Sequence, residues 1–279
     1  MSTPSSDPAD ARKSSESILT QQIEEALSQF RRSTSGLFLS GVSAGLDLAF
    51  GPLLVAAMLT ITAGVYDEPL REILAGTVYT VGFIFVILGR SELFTEHTTL
   101  AVLPVLDRQV SLRALGWLWG VVFAGNILGS AIFAVFAVSF GPAFGAFELD
   151  ALVEIAEPFT SHGTLALFGG ALLAGWLMGL LSWLVVAARD TVSQLLVVFT
   201  VTFVIGFLHL PHSIAGNVEM LAAAVGTAAV GLSDYGRFLL VATLGNAVGG
   251  TIFVGLLKYG HIVRGDTGLE PRGARRTDD

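Results

Sequence analysis

The chain has 279 residues, a net charge of −8 at pH 7, 14% charged residues and a mean hydropathy of +0.71. This composition fits a polytopic membrane protein with one membrane domain, and it is too acidic for a nucleic-acid-binding protein. Because the chain has no cysteine, disulfides and thiol chemistry are excluded.

The N-terminal segment is polar and precedes the apolar part of the chain. Residues 1–13 are rich in Ser, Asp and Pro, which predicts disorder. Over residues 14–32 apolar side chains recur at helical spacing, namely Ile18, Leu19, Ile23, Leu27 and Phe30. We predict a short amphipathic helix, at the membrane surface or against the underside of the protein, within a cytoplasmic tail of residues 1–34.

Six apolar spans follow and predict one membrane transport domain over residues 35–260. They cover residues 36–66, 73–106, 115–138, 165–188, 192–232 and 238–259. Residues 261–279 are polar and rich in Gly and Arg, which predicts a disordered cytoplasmic tail. The fold class is therefore predicted as an all-α membrane protein with six transmembrane helices.

The second span is interrupted by the polar sequence GRSELFTEHTT at residues 89–99. Its apolar flanks, residues 73–88 and 100–106, are each shorter than the roughly 20 residues that a spanning helix needs. Joined, they bring costly charged groups to membrane depth, namely Arg90, Glu92, Glu96 and His97. We predict a broken helix whose first half ends at Gly89 and whose second half has a threonine cap. The alternative is an ordinary loop between two short buried helices.

A repeat relates the two halves of the membrane domain. The pattern GNxxG occurs at residues 125–129 and again at residues 245–249, in the third and sixth spans. The fifth span contains HLPHSIAGN at residues 209–217, so both the second and fifth spans look broken. Three helices per copy require the second copy to be inverted, an arrangement typical of transporters with a pathway at the repeat interface. The glycines alone would also fit simple helix packing.

The distribution of Lys and Arg predicts the orientation in the membrane. The opposite side carries only Arg71 and Arg237, whereas the side of both termini carries Arg12, Lys13, Arg31, Arg32, Arg108, Arg113, Arg189, Lys258, Arg264, Arg272, Arg275 and Arg276. We predict that both termini are cytoplasmic and that the protein lies in the inner membrane. The outer connections are acidic.

Three stretches resemble the formate/nitrite transporter family: SELFTEHT at residues 91–98, HSIAGN at residues 212–217 and LGNAVGGTIFVGLLKYG at residues 244–260. The resemblance covers the membrane region and implies an aquaporin-like six-helix protomer in a homopentamer. It also implies passage of small monovalent weak-acid anions such as formate, nitrite or hydrosulfide, and no cofactor.

The resemblance also implies a substrate pathway. His212 corresponds to the central pore histidine of the family, and Thr95 to the threonine that faces it. One hydrophobic constriction of the family corresponds to Leu93 and Phe94, and Tyr79 and Phe83 lie on the neighbouring turns. The opposite wall of the pathway corresponds to Met178 and Ile205. A pore asparagine of the family aligns with Gly175, and Arg90 and Glu96 suggest a divergent branch.

The chemistry of a buried histidine suits this pathway. A bare anion is costly to move into a low-dielectric constriction, whereas a neutral acid is not. His212 could attract an anion while protonated and then hand over its proton, with Thr95 orienting ring or substrate. The alternative for His212 is a core histidine bonded to a backbone carbonyl.

Other polar residues have open roles. Arg90, Glu92 and Glu96 fit an ion-paired loop better than direct substrate contact. The carboxylates Asp47 and Glu219 are candidates for function at membrane depth, or else lie at helix ends. A further group is structural or lines the pore, namely His209, Asn126, Asn246 and Asn217.

Two different chemistries are alternatives to transport. His209 and His212 have helical metal-ligand spacing, but no third ligand with matching spacing is present, so no metal is expected. Ser43 lies in GVSAG, the G-x-S-x-G pattern of serine hydrolases, which makes an intramembrane serine hydrolase the alternative function. Its position inside a helical apolar span argues against that alternative.

Overall fold

The computed structural model describes residues 13–265, and within this range the secondary structure is entirely helical. The N-terminal disorder prediction and most of the C-terminal tail lie outside the described residues. The final helix extends to Gly265, five residues into the segment expected to be a tail.

The chain order of the helices is α1 Ser15–Phe30, α2 Thr34–Leu48, α3 Phe50–Thr62, α4 Glu68–Gly89, α5 Phe94–Leu100, α6 Leu103–Leu106, α7 Leu112–Phe140, α8 Leu149–Ser161, α9 Thr164–Ala187, α10 Thr191–Phe207, α11 Ala215–Gly226, α12 Leu232–Gly249 and α13 Leu257–Gly265. A π-helical segment, Gly250–Leu256, joins α12 to α13. With α2 and α3 counted as one helix, and α12 continuing through the π-helical segment into α13, five helices of the described chain are long and apolar enough to cross a membrane.

The stretch predicted as the second span differs from the sequence prediction in one respect. Helix α4 has 22 residues and is long enough to span a bilayer alone. The prediction that the helix of residues 73–88 is too short to span a bilayer without residues 100–106 was therefore wrong. The reason is that α4 begins at Glu68, five residues before the apolar run. The stretch predicted as the fifth span contains two shorter helices, α10 with 17 residues and α11 with 12, separated by residues 208–214.

Helix α1 packs against the protein itself. Ser14 caps its N-terminus by accepting the N–H of Ser17. Its apolar face joins a buried cluster with side chains of α6, α9, α13 and the π-helical segment, among them Leu103, Trp183 and Ile262. Of the two predicted positions, the structure has the helix against the underside of the protein.

Small residues bring the long helices of each half into backbone contact. A Cβ at Gly45 of α2 would clash with the carbonyl oxygen of Asn126, and one at Gly129 of α7 with that of Val42. The other half repeats this pattern, with Gly175 of α9 against Asn246 and Gly249 of α12 against Leu172. The glycines of both GNxxG motifs therefore permit close helix packing.

Candidate functional site

The first break lies between α4 and α5. Helix α4 ends at Gly89, Arg90 adopts a left-handed conformation, and the N–H of Ser91 returns to the carbonyl of Val86. The predicted threonine cap of the next helix is wrong, because α5 begins at Phe94 without a side-chain cap of its own. The cap comes from another helix, α7.

Asn126 of α7 holds the first break in place. Its Oδ1 accepts the N–H of Phe94 at 2.8 Å, and its Nδ2 donates to the carbonyls of Gly41 and Glu92, each at 2.8 Å. The side chain is fully buried, so three backbone groups depend on it for hydrogen bonding. One amide thus ties the break to both α2 and α7.

Asn246 of α12 holds the second break, residues 208–214 between α10 and α11, in place. Its Oδ1 accepts the N–H of Ser213 at 2.8 Å, and its Nδ2 donates to the carbonyls of Ala171 at 2.8 Å and Pro211 at 2.9 Å. The GNxxG repeat therefore marks two asparagines with matching hydrogen bonds in the two halves. The sequence indicated their equivalence but left their role open.

The two breaks meet at Thr95 and His212. Thr95 Oγ1 lies 2.8 Å from Nε2 of His212, and both side chains are buried. The other ring nitrogen, Nδ1, accepts the N–H of Ala215 at 3.1 Å. The proton of the neutral ring must therefore be on Nε2, which donates to Thr95, so the hydroxyl proton of Thr95 is left to serve another acceptor.

Phe83 packs against His212 of this pair, and the other apolar side chains predicted for the pathway belong to the same buried core cluster as Phe83. The ring of Phe83 packs edge-on against His212 with centroids 5.0 Å apart, and Tyr79 packs one turn away at 5.3 Å from Phe83. Leu93, Met178 and Ile205 are fully buried. These residues form an apolar environment in which an isolated charge would be costly.

A polar cavity of about 640 Å³ opens beside α1, at the end of α4 that precedes the first break. We call it the α1 cavity. Glu92 lies in its wall, where it accepts a hydrogen bond from Arg32 and lies 2.5 Å from Nε2 of His97. Glu96 also lines the cavity, as do Gln22 and Arg90. This cavity offers charges of both signs to a solute.

A second cavity, of about 210 Å³, opens beside α8 at the opposite end of α4 and α10. We call it the α8 cavity. Tyr79 and Ile205 line its inner part, and Nε2 of His209 donates to Oε2 of Glu72 at 2.7 Å near its mouth. Glu219 also lines it. Thr95 lies in the first turn of α5, directly after the first break, and His212 lies three residues before the start of α11.

Phe94 has a different position from its neighbours. Its ring packs edge-on against Phe123 at 5.0 Å and Trp119 at 5.9 Å, both on α7. It lines neither the α1 cavity nor the α8 cavity. Phe94 therefore packs the break against α7.

The structure shows how the predicted ion-paired loop and the two neighbouring histidines are arranged. Glu92, Glu96 and Arg90 were predicted to form an ion-paired loop. Glu92 lies 2.5 Å from His97 within residues 89–99 and also pairs with Arg32, 60 residues earlier in the chain, whereas Arg90 forms no ion pair within the described range. His209 is partly exposed and bonded to Glu72, whereas His212 is buried against Thr95, so the two rings do not converge on one ligand.

Three further candidates have structural contacts. Asn217 accepts from the Tyr235 hydroxyl and donates to Ser130, both at 2.6 Å, which joins α11 to α12 and α7. Asp47 lies in the last turn of α2 and accepts hydrogen bonds from Ser43 at 3.2 Å and Ser91 at 3.4 Å. Gly175 packs against the backbone of α12, so its position does not suit a pore side chain.

The serine hydrolase alternative has no support in this geometry. Ser43 lies in the middle of α2 rather than on a strand-to-helix turn, and its hydroxyl donates to Asp47, one helical turn later.

Comparisons with known proteins agree with one another. The family model described as formate/nitrite transporter matches residues 16–260. The inner membrane protein YfdC of Escherichia coli is 33% identical over 237 residues, which cover 84% of this chain and 74% of that protein. The nitrite transporter NirC of Salmonella typhimurium is 26% identical over 226 residues, covering 79% and 81%.

Solved structures show the same fold. A structure described as an FNT family ion channel superposes with a TM-score of 0.76 at 24% identity, over 86% of this chain and 97% of that one. A structure described as a pentameric formate channel with formate bound gives a TM-score of 0.68 at 24% identity, over 82% and 98%.

Proposed function

The chain belongs to the formate/nitrite transporter family, and from this premise we propose that it carries small monovalent weak acids across the cytoplasmic membrane, along a path from the α1 cavity to the α8 cavity through the Thr95–His212 pair. It is a transporter rather than an enzyme. The observation that carries the proposal is the 2.8 Å hydrogen bond between Thr95 and His212, amid buried apolar side chains.

The apolar surroundings select the neutral form of the solute. The free-energy cost of desolvating an anion beside Phe83, Leu93 and Met178 is far larger than that for the neutral acid. A weak acid can therefore cross once it has taken up a proton, whereas the anion of a strong acid cannot. This requires a proton donor at the junction of the two halves.

His212 and Thr95 together form that donor. An anion that reaches Thr95 accepts the hydroxyl proton, and Thr95 takes the proton from Nε2 of the doubly protonated ring. This leaves a neutral His212 whose remaining proton is on Nδ1, and a proton taken up at Nε2 restores the doubly protonated ring. A doubly protonated ring has no acceptor for the Ala215 N–H, whose contact with Nδ1 must then open. The charged ring is therefore favoured when an anion is close enough to compensate for its charge.

We further propose that six spans form each protomer. The fifth is α10 together with α11, broken at residues 208–214, and α5 with α6 completes the broken second element. The two halves are inverted repeats, both termini are cytoplasmic, and five protomers assemble, each with its own path. The description of a similar structure as a pentameric channel supports the last point.

A flux panel tests the proposal. The purified protein in liposomes is given formate, nitrite, hydrosulfide, acetate, lactate and chloride in turn, and entry is followed with an internal pH-sensitive dye and by tracer uptake. We expect weak acids to enter and chloride, the anion of a strong acid, to be excluded. Equal permeation by chloride, or no flux of any weak acid, would contradict it.

A further inference from the structure

Glu219 has the features of a proton-exchange group at the α8 end of the path. We propose that the Glu219 carboxyl gives its proton to a weak-acid anion arriving from the α8 cavity, and takes it back from a neutral acid leaving toward that cavity. The inference rests on the proposed function and extends it to a second proton site.

The position of Glu219 is the first argument. It lies in the middle of α11, so the interpretation as a helix-end residue does not hold. Only 7% of its surface is exposed, yet it lines the α8 cavity. Within residues 13–265 its carboxyl group has no hydrogen-bond partner. A permanently charged carboxylate buried in this way would carry a large free-energy cost.

The other ionisable groups around the α8 cavity are engaged or exposed, which is the second argument. Glu68 of α4 and Glu154 of α8 both accept hydrogen bonds from Arg71, each at 3.0 Å. Glu72 is bonded to His209, and Glu157 is exposed to solvent. Glu219 is thus the buried carboxyl group of this cavity that is available for proton exchange.

Three of the helices packed against α11 supply no cation to Glu219. Helix α3 has no ionisable side chain, and α7 has only Arg113, near its start. Helix α8 has only carboxylates, of which Asp150, like Glu157, is exposed. Tyr79 of α4 lines the same cavity and is neutral at ordinary pH.

The ionisable groups of α12 are also engaged elsewhere. Arg237 donates to backbone carbonyls at the end of α8, those of Phe159, Thr160 and His162. Tyr235 donates to Asn217, and Asp234 accepts the N–H of Gly231. No basic side chain of the described residues therefore neutralises a Glu219 carboxylate.

The charge of the cavity is the third argument. The carboxylates at its wall lower the local concentration of anions and raise that of protons. A protonated Glu219 donates a hydrogen bond to an arriving anion. Transfer of the proton leaves the Glu219 carboxylate and a neutral acid, which continues to the apolar junction at Thr95 and His212. A proton from the water of the cavity then restores the carboxyl group.

The test compares two carboxylates of one cavity. Glu219→Gln and Glu157→Gln each replace a carboxyl group by an amide, but Glu157 is exposed. In liposomes of determined orientation, formate flux is measured while the pH on the α8 side varies over roughly pH 5 to 8, a range across which a buried carboxyl group can titrate. We expect the dependence of the native flux on this pH to be lost in Glu219→Gln and kept in Glu157→Gln.

Infrared spectroscopy gives a readout independent of flux. The native protein should show a protonated-carboxyl band that changes with pH and is missing from Glu219→Gln. If that variant fails to assemble, Glu219→Asp must shift the band and keep the pH dependence. A native pH profile in Glu219→Gln, or a band that neither variant alters, would overturn the inference. Absence of weak-acid flux in the native protein would instead reject the proposed function.

Discussion

Thr95 and His212 come from different halves of the chain, 117 residues apart, and form a single hydrogen bond of 2.8 Å between Oγ1 and Nε2. Thr95 directly follows the first break and His212 lies within the second, and each break is held by one buried asparagine. The position of the pair therefore depends on the two asparagines as much as on its own side chains.

The first prediction concerns these asparagines. Asn126→Ala and Asn246→Ala each remove three hydrogen bonds and leave buried backbone groups unsatisfied, at a cost of about 1–3 kcal/mol for each group. We expect a large fall in the thermal midpoint of the purified protein for both variants, and loss of flux. Ser43→Ala, which removes one exposed bond to Asp47, is the control and should change neither. Equal midpoints in all three variants would show that the asparagines do not hold the breaks.

The second prediction concerns helix packing. Gly249→Ala introduces a methyl group against the carbonyl oxygen of Leu172, and overpacking of this kind costs about 1–3 kcal/mol. Gly236→Ala on the same helix meets no atom within 4 Å and is the control. We expect a lower thermal midpoint for Gly249→Ala alone. A midpoint equal to that of Gly236→Ala would mean that α9 and α12 are not in backbone contact at this glycine.

The third prediction concerns the wall of the α1 cavity. Arg32→Gln leaves the Glu92 carboxylate with His97 as its partner, so the protein should be destabilised. Arg31→Gln, which removes an exposed bond to the carbonyl of Leu27, is the control. The double variant Arg32→Gln/Glu92→Gln should regain part of the lost stability, because no unpaired charge remains. Additive effects of the two substitutions in thermal unfolding would argue against a coupled pair.

The fourth prediction concerns assembly. Small-residue contacts within each half leave large apolar side chains such as Leu165, Leu240 and Phe136 on the surface, available to lipid or to neighbouring protomers. Native mass spectrometry of the detergent-solubilised protein should give the mass of a pentamer. A dominant monomer or dimer across several mild detergents would be the contrary result.

The sequence was most informative where a signal is local or repeated. Charged residues between apolar flanks indicated the interruption at residues 89–99, helical periodicity indicated α1, and the GNxxG repeat indicated that Asn126 and Asn246 are equivalent. Motif resemblance alone paired Thr95 with His212. These patterns depend on neighbouring residues, on comparison of the chain with itself or on a known family pattern.

Contacts between distant parts of the chain were not predictable in this way. The cap of α5 comes from Asn126 on α7 rather than from a nearby threonine, and Glu92 pairs with Arg32, which lies outside the predicted ion-paired loop. Helix α4 starts in an acidic segment, so its length could not be read from apolar residues alone. In each case contacts between residues far apart in the chain determine the structure, and local sequence patterns do not predict such contacts.

His212 is the proposed proton donor of the path, and one comparison tests this role most directly. Formate flux into liposomes is measured across acidic and neutral pH for the native protein, His212→Asn and the control His209→Asn. Asparagine can bond to Thr95 but cannot pass on a proton, whereas His209 lies at the mouth of the α8 cavity against Glu72. With formate offered on the side of the α1 cavity, we expect native flux that rises as pH falls, almost none in His212→Asn, and most of it in His209→Asn. Full pH-dependent flux in His212→Asn, with loss in His209→Asn, would contradict this role.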